Sequence, residues 1–194
     1  IVGNLDGDGE VGLRDLAIMM TLLGIGIRQA ELAGLNVDDL TDTGAFVHVR
    51  VFGKGYKERT LTLRRRPSAV LRRWLIEREK FSPADNAVFI RIKGKPARLG
   101  AEALDHMFKG YASKVRIQKT KRHLHIWRST WATMLYDQGV ELLEIQAKGG
   151  WESLETVKRY IAISERALRE ATISDSVWKD LLDEEPPIPE GGPC

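Results

Sequence analysis

The sequence predicts an α+β domain, mostly α-helical, with a small antiparallel β-sheet on one side. Three observations predict it. Apolar residues recur at helical spacing over 13–23, over 67–80 and through almost everything from Ala101 onward. Residues 45–52 and 58–63 instead alternate like half-buried strands, and Gly53-Lys54-Gly55-Tyr56-Lys57 joins them as a hairpin. A length of 194 residues with 43% hydrophobic content and no internal repeat suits one globular domain with a short appendage.

The elements follow in order. Leu13–Leu23 reads as a buried helix stopped at Gly24, and a short helix runs from Arg28 to about Ala33 before Gly34. The hairpin comes next. Pro67 then opens a helix to about Lys80 with Val70, Leu71, Trp74 and Leu75 on one face. Two short strands are expected at Ala87–Ile92 and Pro96–Leu99. The helical remainder is broken at 114–123, at Gly139, at Gly149-Gly150 and at Ile163-Ser164. The organisation expected is a main domain over 1–172 with an acidic lead-in over 1–12. An amphipathic helix follows over 173–183, capped by Ser174, and then an acidic Pro/Gly-rich tail over 184–194, expected disordered.

Composition excludes several classes. No apolar run approaches the roughly 18 residues of a membrane span. Cys194 is the only cysteine, which removes a disulfide framework or a multi-cysteine metal site. The net charge of +3 conceals a polarity: residues 1–49 carry −6, 50–128 carry +16 and 129–194 carry −7. A basic segment of that size points to a polyanion, with nucleic acid first, or else to a solvated face balanced by its acidic flanks.

Four separated pieces carry the chemistry: Gly26-Ile27-Arg28-Gln29-Ala30-Glu31-Leu32, the Gly53–Arg59 hairpin, His125-Ile126-Trp127-Arg128, and Gly150-Trp151 with Tyr160 nine residues beyond the Trp. Each alone has an ordinary structural reading. In this order, over about residues 13–170, they resemble the catalytic domain of the tyrosine recombinases of the phage-integrase and Xer type. The resemblance implies the fold of that domain and a catalytic set of Arg28, Lys54, His125, Arg128, Trp151 and Tyr160, with Tyr160 as nucleophile. Glu31 is then an acid that orients Arg28, or an ordinary helix-surface carboxylate, and Lys57 and Arg59 are expected to bind DNA. The residue types suit the task. Two arginines offer planar, permanently charged forks for a phosphate, His125 can hydrogen-bond it or take a proton, and Lys54 can protonate a leaving 5′-oxygen. Trp151 stands where many relatives have His, and its donor-only indole fits positioning rather than proton transfer. Ser129 replaces a His common in relatives, and His123 falls off the motif.

The resemblance further implies site-specific recombination or integration through a 3′-phosphotyrosyl intermediate, with no metal and no cofactor. Double-stranded DNA is the implied partner. The implied assembly is a homo-tetramer on paired sites, with a monomeric isolated domain as the other state. The implied location is cytoplasmic, on the nucleoid of a prokaryote or on phage DNA. The 173–183 helix would dock on a neighbouring subunit or pack on its own domain. A type IB topoisomerase or telomere resolvase shares the chemistry, and a non-catalytic DNA-binding module shares the fold. Relatives carry an N-terminal core-binding domain, and with about a dozen residues before the first helix and no initial Met, this sequence is expected to be a truncated chain. Asn4–Asp15 also has the spacing of a calcium loop and resembles that of dockerin modules. A single loop where dockerins need two favours an acidic helix cap instead.

Overall fold

Leu13, Ala17, Ile18, Leu22 and Ile25 repeat at helical spacing, and in the computed structural model they form the buried stripe of α1 (Gly9–Ile25). The structure describes residues 9–53, 55, 57–114 and 125–161. The expected helix over 173–183 and the tail over 184–194 lie outside the described residues. α1 begins four residues before the expected Leu13, so Gly9–Asp15 makes its first turns and Glu10 complements the positive helix end. Asp15 is 3% exposed. It accepts hydrogen bonds from Arg14 Nε and Nη2 at 2.8 and 2.6 Å and from the Tyr111 hydroxyl at 3.1 Å. Asp15 is the twelfth position of the expected Asn4–Asp15 loop, whose first positions, Asn4, Asp6 and Asp8, lie outside the described residues.

After α2 (Gln29–Gly34), a 3-10 turn over Val37–Asp39 leads into β1 (Leu40–Asp42). Its three residues are too few to show alternation in sequence. The expected hairpin follows as β2 (Val47–Phe52) and β3 (Glu58–Leu63), giving an antiparallel sheet of order β1-β2-β3. The register pairs Val47 with Leu63, Val49 with Leu61 and Val51 with Arg59. Val47, Val49, Val51, Leu61 and Leu63 are all buried, so the inward face is the odd-numbered one on both strands.

α3 (Arg65–Glu79) packs along α1. Ser68 locks it to the sheet, donating to Leu63 O at 2.8 Å and accepting from the Val47 amide at 3.0 Å. Trp74 is fully buried and donates to Val88 O at 2.8 Å. Arg78, 4% exposed, donates to Ala87 O and Asp85 O, each at 2.7 Å. At the surface, Arg72 grips Asp42 of β1 with two bonds of 2.6 Å. That hydrogen bonding holds the Asp42 carboxyl down at about 2. The two expected short strands shrink to β4 (Ile90–Arg91) and β5 (Ala97–Arg98).

Four helices complete the described chain: α4 (Ala101–Lys114), α5 (His125–Asp137), α6 (Leu142–Gly149) and α7 (Leu154–Tyr160). The buried apolar residues separate into two clusters. The larger joins α1, the sheet, α3, α4 and Trp127. The smaller gathers Trp131, Ala132, Ile145, Trp151 and Val157 from α5, α6, α7 and the turn between the last two. α5 therefore bridges both cores, with Trp127 in one and Trp131 in the other. Among the described residues no helix is long and apolar enough to cross a membrane.

Trp74 combines full burial with a satisfied indole N–H, so its loss removes both apolar area and a hydrogen bond. Trp74→Ala is expected to cost about 3–5 kcal/mol, measured as a lower urea midpoint at unchanged slope.

Candidate active site

The site is built on the C-terminus of α6. A helix leaves its last carbonyls without intrahelical partners, and the negative end of its dipole lies there. Gly150 ends α6 with φ +64°, the left-handed conformation that glycine adopts without strain. Two carbonyls are then met by the backbone, with Gly150 N–H donating to Ala147 O and Trp151 N–H to Gln146 O, each at 3.1 Å. The next three are met by arginines from three other elements. Arg59 Nε donates to Lys148 O at 3.1 Å, Arg128 Nη2 to Gly149 O at 2.5 Å and Arg28 Nη2 to Gly150 O at 2.6 Å. The Gly149-Gly150 pair is needed sterically as well. A Cβ at Gly149 would lie 2.1 Å from the Trp151 ring, and one at Gly150 3.2 Å from the Arg59 guanidinium.

Arg128 lies at the seam of the two cores, 3% exposed. Its Nη1 donates to Gly26 O at 2.8 Å, so one guanidinium holds both the α1–α2 junction and the α6 terminus. Its Cζ stands 3.9 Å from the Trp151 ring centroid, a cation–π platform that fixes the plane of the fork. Trp151 is itself stacked on Trp131, with centroids 6.0 Å apart and an interplanar angle of 29°. Trp131 in turn presses on Gly26, which has φ +60° and whose added Cβ would lie 2.2 Å from that ring.

Arg28 precedes α2 in extended conformation, and Glu31 accepts from its backbone N–H at 2.7 Å and from its Nη1 at 2.8 Å. Glu31 thus bonds Arg28 through both its backbone and its side chain. Its side chain is 6% exposed, while that of Arg28 keeps 39%. Burial raises the Glu31 pKa. Hydrogen bonding from Arg59 and from the Arg28 backbone, together with the Arg59 charge, outweighs that and leaves the carboxyl below its ordinary 4.5. Arg59, expected from its motif to face DNA, turns inward instead. It forms a two-pronged pair with Glu31 at 3.0 and 2.8 Å, and its side chain is 15% exposed. The reason is register: Arg59 shares strand parity with Leu61 and Leu63, so it projects from the inward face of β3.

Lys57 is exposed and, with Arg28, Arg50 and Trp151, lines an open cleft of about 1030 Å³. Lys54 lies outside the described residues. The tie between Gly53 N–H and Lys57 O, 2.9 Å long, closes the hairpin that carries it. The backbone of His125 opens α5 and that of Tyr160 closes α7, while both side chains lie outside the described part. The structure thus brings Arg28, Glu31, Arg59, Arg128 and Trp151 together. The sequence reading gave no role to Trp131 or to the carbonyls of 148–150, and it carried Gly26 and Gly150 only as motif members; the Gly149-Gly150 pair was the one signal for the turn. Among the described residues no group of three or more His, Cys, Asp or Glu is placed to hold a metal ion.

Chemically, this is a rigid cationic pocket. Two forks are held by carbonyls and a carboxylate, the Arg28 fork beside a cleft that Lys57 also lines. Such a pocket suits an anionic, phosphate-bearing ligand.

Two outcomes follow. Gly26→Ala is expected to destabilise the fold by about 3 kcal/mol or more, measured in urea, because positive φ and the Trp131 ring both oppose the methyl. Glu31 has a folded pKa below its ordinary value, so its ionised form contributes stability that is present above pH 4.5 and lost as pH falls through the lower folded value. Glu31→Gln is expected to flatten that acid limb of the stability curve, followed by thermal melts from neutral to acid pH.

A family model described as the phage integrase family matches residues 4–166. The chain is 33% identical over 148 residues to the tyrosine recombinase XerC of Actinobacillus pleuropneumoniae serotype 7 (strain AP76), covering 76% of this chain and 47% of that one. It is 34% identical over 160 residues to the XerC of Proteus mirabilis, covering 81% and 50%. Among solved structures it is similar to the XerA recombinase, with TM-score 0.75 and 27% identity over 87% of this chain and 57% of that one. It is also similar to the XerH site-specific recombinase in a pre-cleavage complex with difH substrate, with TM-score 0.71 and 25% identity over 91% and 50%. The chain spans about half the length of the curated relatives it matches.

Proposed function

The chain belongs to the phage integrase family, and from that premise we propose that it cleaves and rejoins double-stranded DNA in site-specific recombination. The observation that carries the reading is the convergence of Arg28 and Arg128 on one helix terminus. Two guanidiniums from segments 100 residues apart in sequence meet at that terminus, and the Arg28 side chain, 39% exposed, lines the cleft beside it with a planar fork suited to a phosphate. Further support comes from the XerH neighbour, whose structure holds that site-specific recombinase bound to difH substrate in a pre-cleavage complex.

In this mechanism Tyr160 attacks the scissile phosphorus and a P–O bond forms to its phenolic oxygen. The bond to the 5′-oxygen breaks, leaving a 3′-phosphotyrosyl link and a free 5′-hydroxyl. Arg28 and Arg128 bind the non-bridging oxygens and stabilise the charge that gathers there in the transition state. Trp151 keeps the Arg128 fork in plane, and Glu31 does the same for Arg28. His125 takes part in handling the tyrosine proton, and Lys54 delivers a proton to the departing 5′-oxygen. A second 5′-hydroxyl then attacks the phosphotyrosine and reverses the step, so the bond energy is conserved and the reaction needs neither metal nor nucleotide. Lys57 binds the DNA backbone beside the hairpin. Two duplexes cut in turn require four such sites, which makes a homo-tetramer on paired DNA the working assembly and gives the 173–183 helix a neighbour to dock on. The domain organisation remains 1–172, 173–183 and 184–194 in this reading, with a cytoplasmic, nucleoid-associated location.

The test is a pool of duplexes nicked near the cleavage position, with randomised flanks so that no target need be known. A covalent protein–DNA band is expected with the unaltered chain and none with Tyr160→Phe; a band that survives the substitution overturns Tyr160 as nucleophile. Affinity for the same pool is expected to fall steeply with salt, each phosphate contact adding about −0.9 to the slope of log K against log salt concentration. An affinity flat between 50 and 200 mM salt contradicts a DNA-binding role.

A further inference from the structure

We propose that Arg59 is a positioning residue that clamps the lysine-bearing hairpin to the arginine pocket, and that it does not contact DNA. The proposal rests on the cleavage reading above for its kinetic consequence. Its structural half stands apart from that reading.

The geometry is a saturated carboxylate. Each Glu31 oxygen receives one bond from Arg28 and one from Arg59. Oε1 accepts from Arg28 Nη1 at 2.8 Å and Arg59 Nη1 at 3.0 Å, and Oε2 accepts from the Arg28 backbone N–H at 2.7 Å and Arg59 Nη2 at 2.8 Å. The third nitrogen of Arg59, Nε, reaches across to Lys148 O at 3.1 Å, and the guanidinium lies against the backbone of Gly150. Arg59 therefore touches both things that set the Arg28 fork: the carboxylate beneath it and the turn whose Gly150 carbonyl it also grips. Its own backbone sits in β3 opposite Val51, at the base of the hairpin that contains Lys54 and Lys57. A Cβ on Gly53 would lie 3.4 Å from Arg59 Nη1 and 3.8 Å from Glu31 Oε1, so the base of the hairpin packs directly on this pair. One side chain thus ties the base of the hairpin, and with it Lys57, to the arginine pocket. A lysine cannot replace it, because an ammonium lacks the planar fork that spans two carboxylate oxygens and a carbonyl at once.

Three variants separate this from a direct DNA contact. With the nicked duplex pool, Arg59→Lys and Arg59→Ala are both expected to slow covalent-complex formation at saturating DNA by about 100-fold, the scale of a misplaced catalytic group, while the salt slope of binding stays that of the unaltered chain. Lys57→Ala is the control: binding weakens and the slope loses about one phosphate contact. If Arg59→Lys restores cleavage, or if Arg59→Ala lowers the slope as Lys57→Ala does, the clamp is wrong and Arg59 is a phosphate contact. A readout without DNA covers the case in which no covalent complex forms at all. The Glu31 carboxyl is followed by 13C NMR through an acid titration of the full chain. Its midpoint is expected to rise in Arg59→Ala and in Arg59→Lys. A midpoint unmoved in both, with the fold retained, overturns the clamp whatever the protein does to DNA.

Discussion

The rest of this site depends on how one helix ends. α6 closes on a glycine in left-handed conformation and leaves three consecutive carbonyls, those of Lys148, Gly149 and Gly150, facing the seam between two cores. A carbonyl buried there without a donor would cost about 1–3 kcal/mol. Each instead receives an arginine, one from β3, one from α5 and one from the segment before α2. The negative end of the helix dipole favours that accumulation of cations where their mutual repulsion would otherwise oppose it. One set of bonds therefore closes the fold and gathers positive charge at one helix end.

The arginines are not held alike, and the differences assign their work. Arg128 is buried, bonded at both ends and backed by a stack of two tryptophans. It is the rigid member, and moving it disturbs both cores. Arg28 keeps more than a third of its side chain exposed and leans on a carboxylate, so it is the member open to the cleft. Arg59 spends its fork within the protein and gives Glu31 its second cation. Without that partner, a carboxylate as enclosed as Glu31 would favour its protonated form, and the Arg28 clamp would weaken with it.

Much of this was legible in the sequence because it depends on local chemistry. The hairpin and α3 follow from periodicity and glycine placement, the motifs were picked out by their resemblance to a known family, and observed strand ends agree with expectation to within two residues for β2 and β3. β1 was missed because a three-residue strand has no period of its own and exists only through its pairing with β2. The start of α1 was set too late because an acidic stretch resembling a cation loop can also cap and begin a helix. Asp15 in that stretch pairs with Arg14 and with Tyr111, the latter 96 residues away. Strand parity places Arg59 with Leu61 and Leu63, on the face that points inward.

The sequence by itself determined the fold class, the candidate chemical groups and their order, because helical and strand periods and the spacing within a motif are properties of neighbouring residues. It also determined that positive charge concentrates between residues 50 and 128. Only the tertiary structure decided which backbone each arginine meets. Whether a guanidinium faces a phosphate or a carbonyl is set by which distant backbone reaches it. The three carbonyls that sort Arg28, Arg59 and Arg128 belong to a turn 122, 89 and 21 residues away from them in sequence.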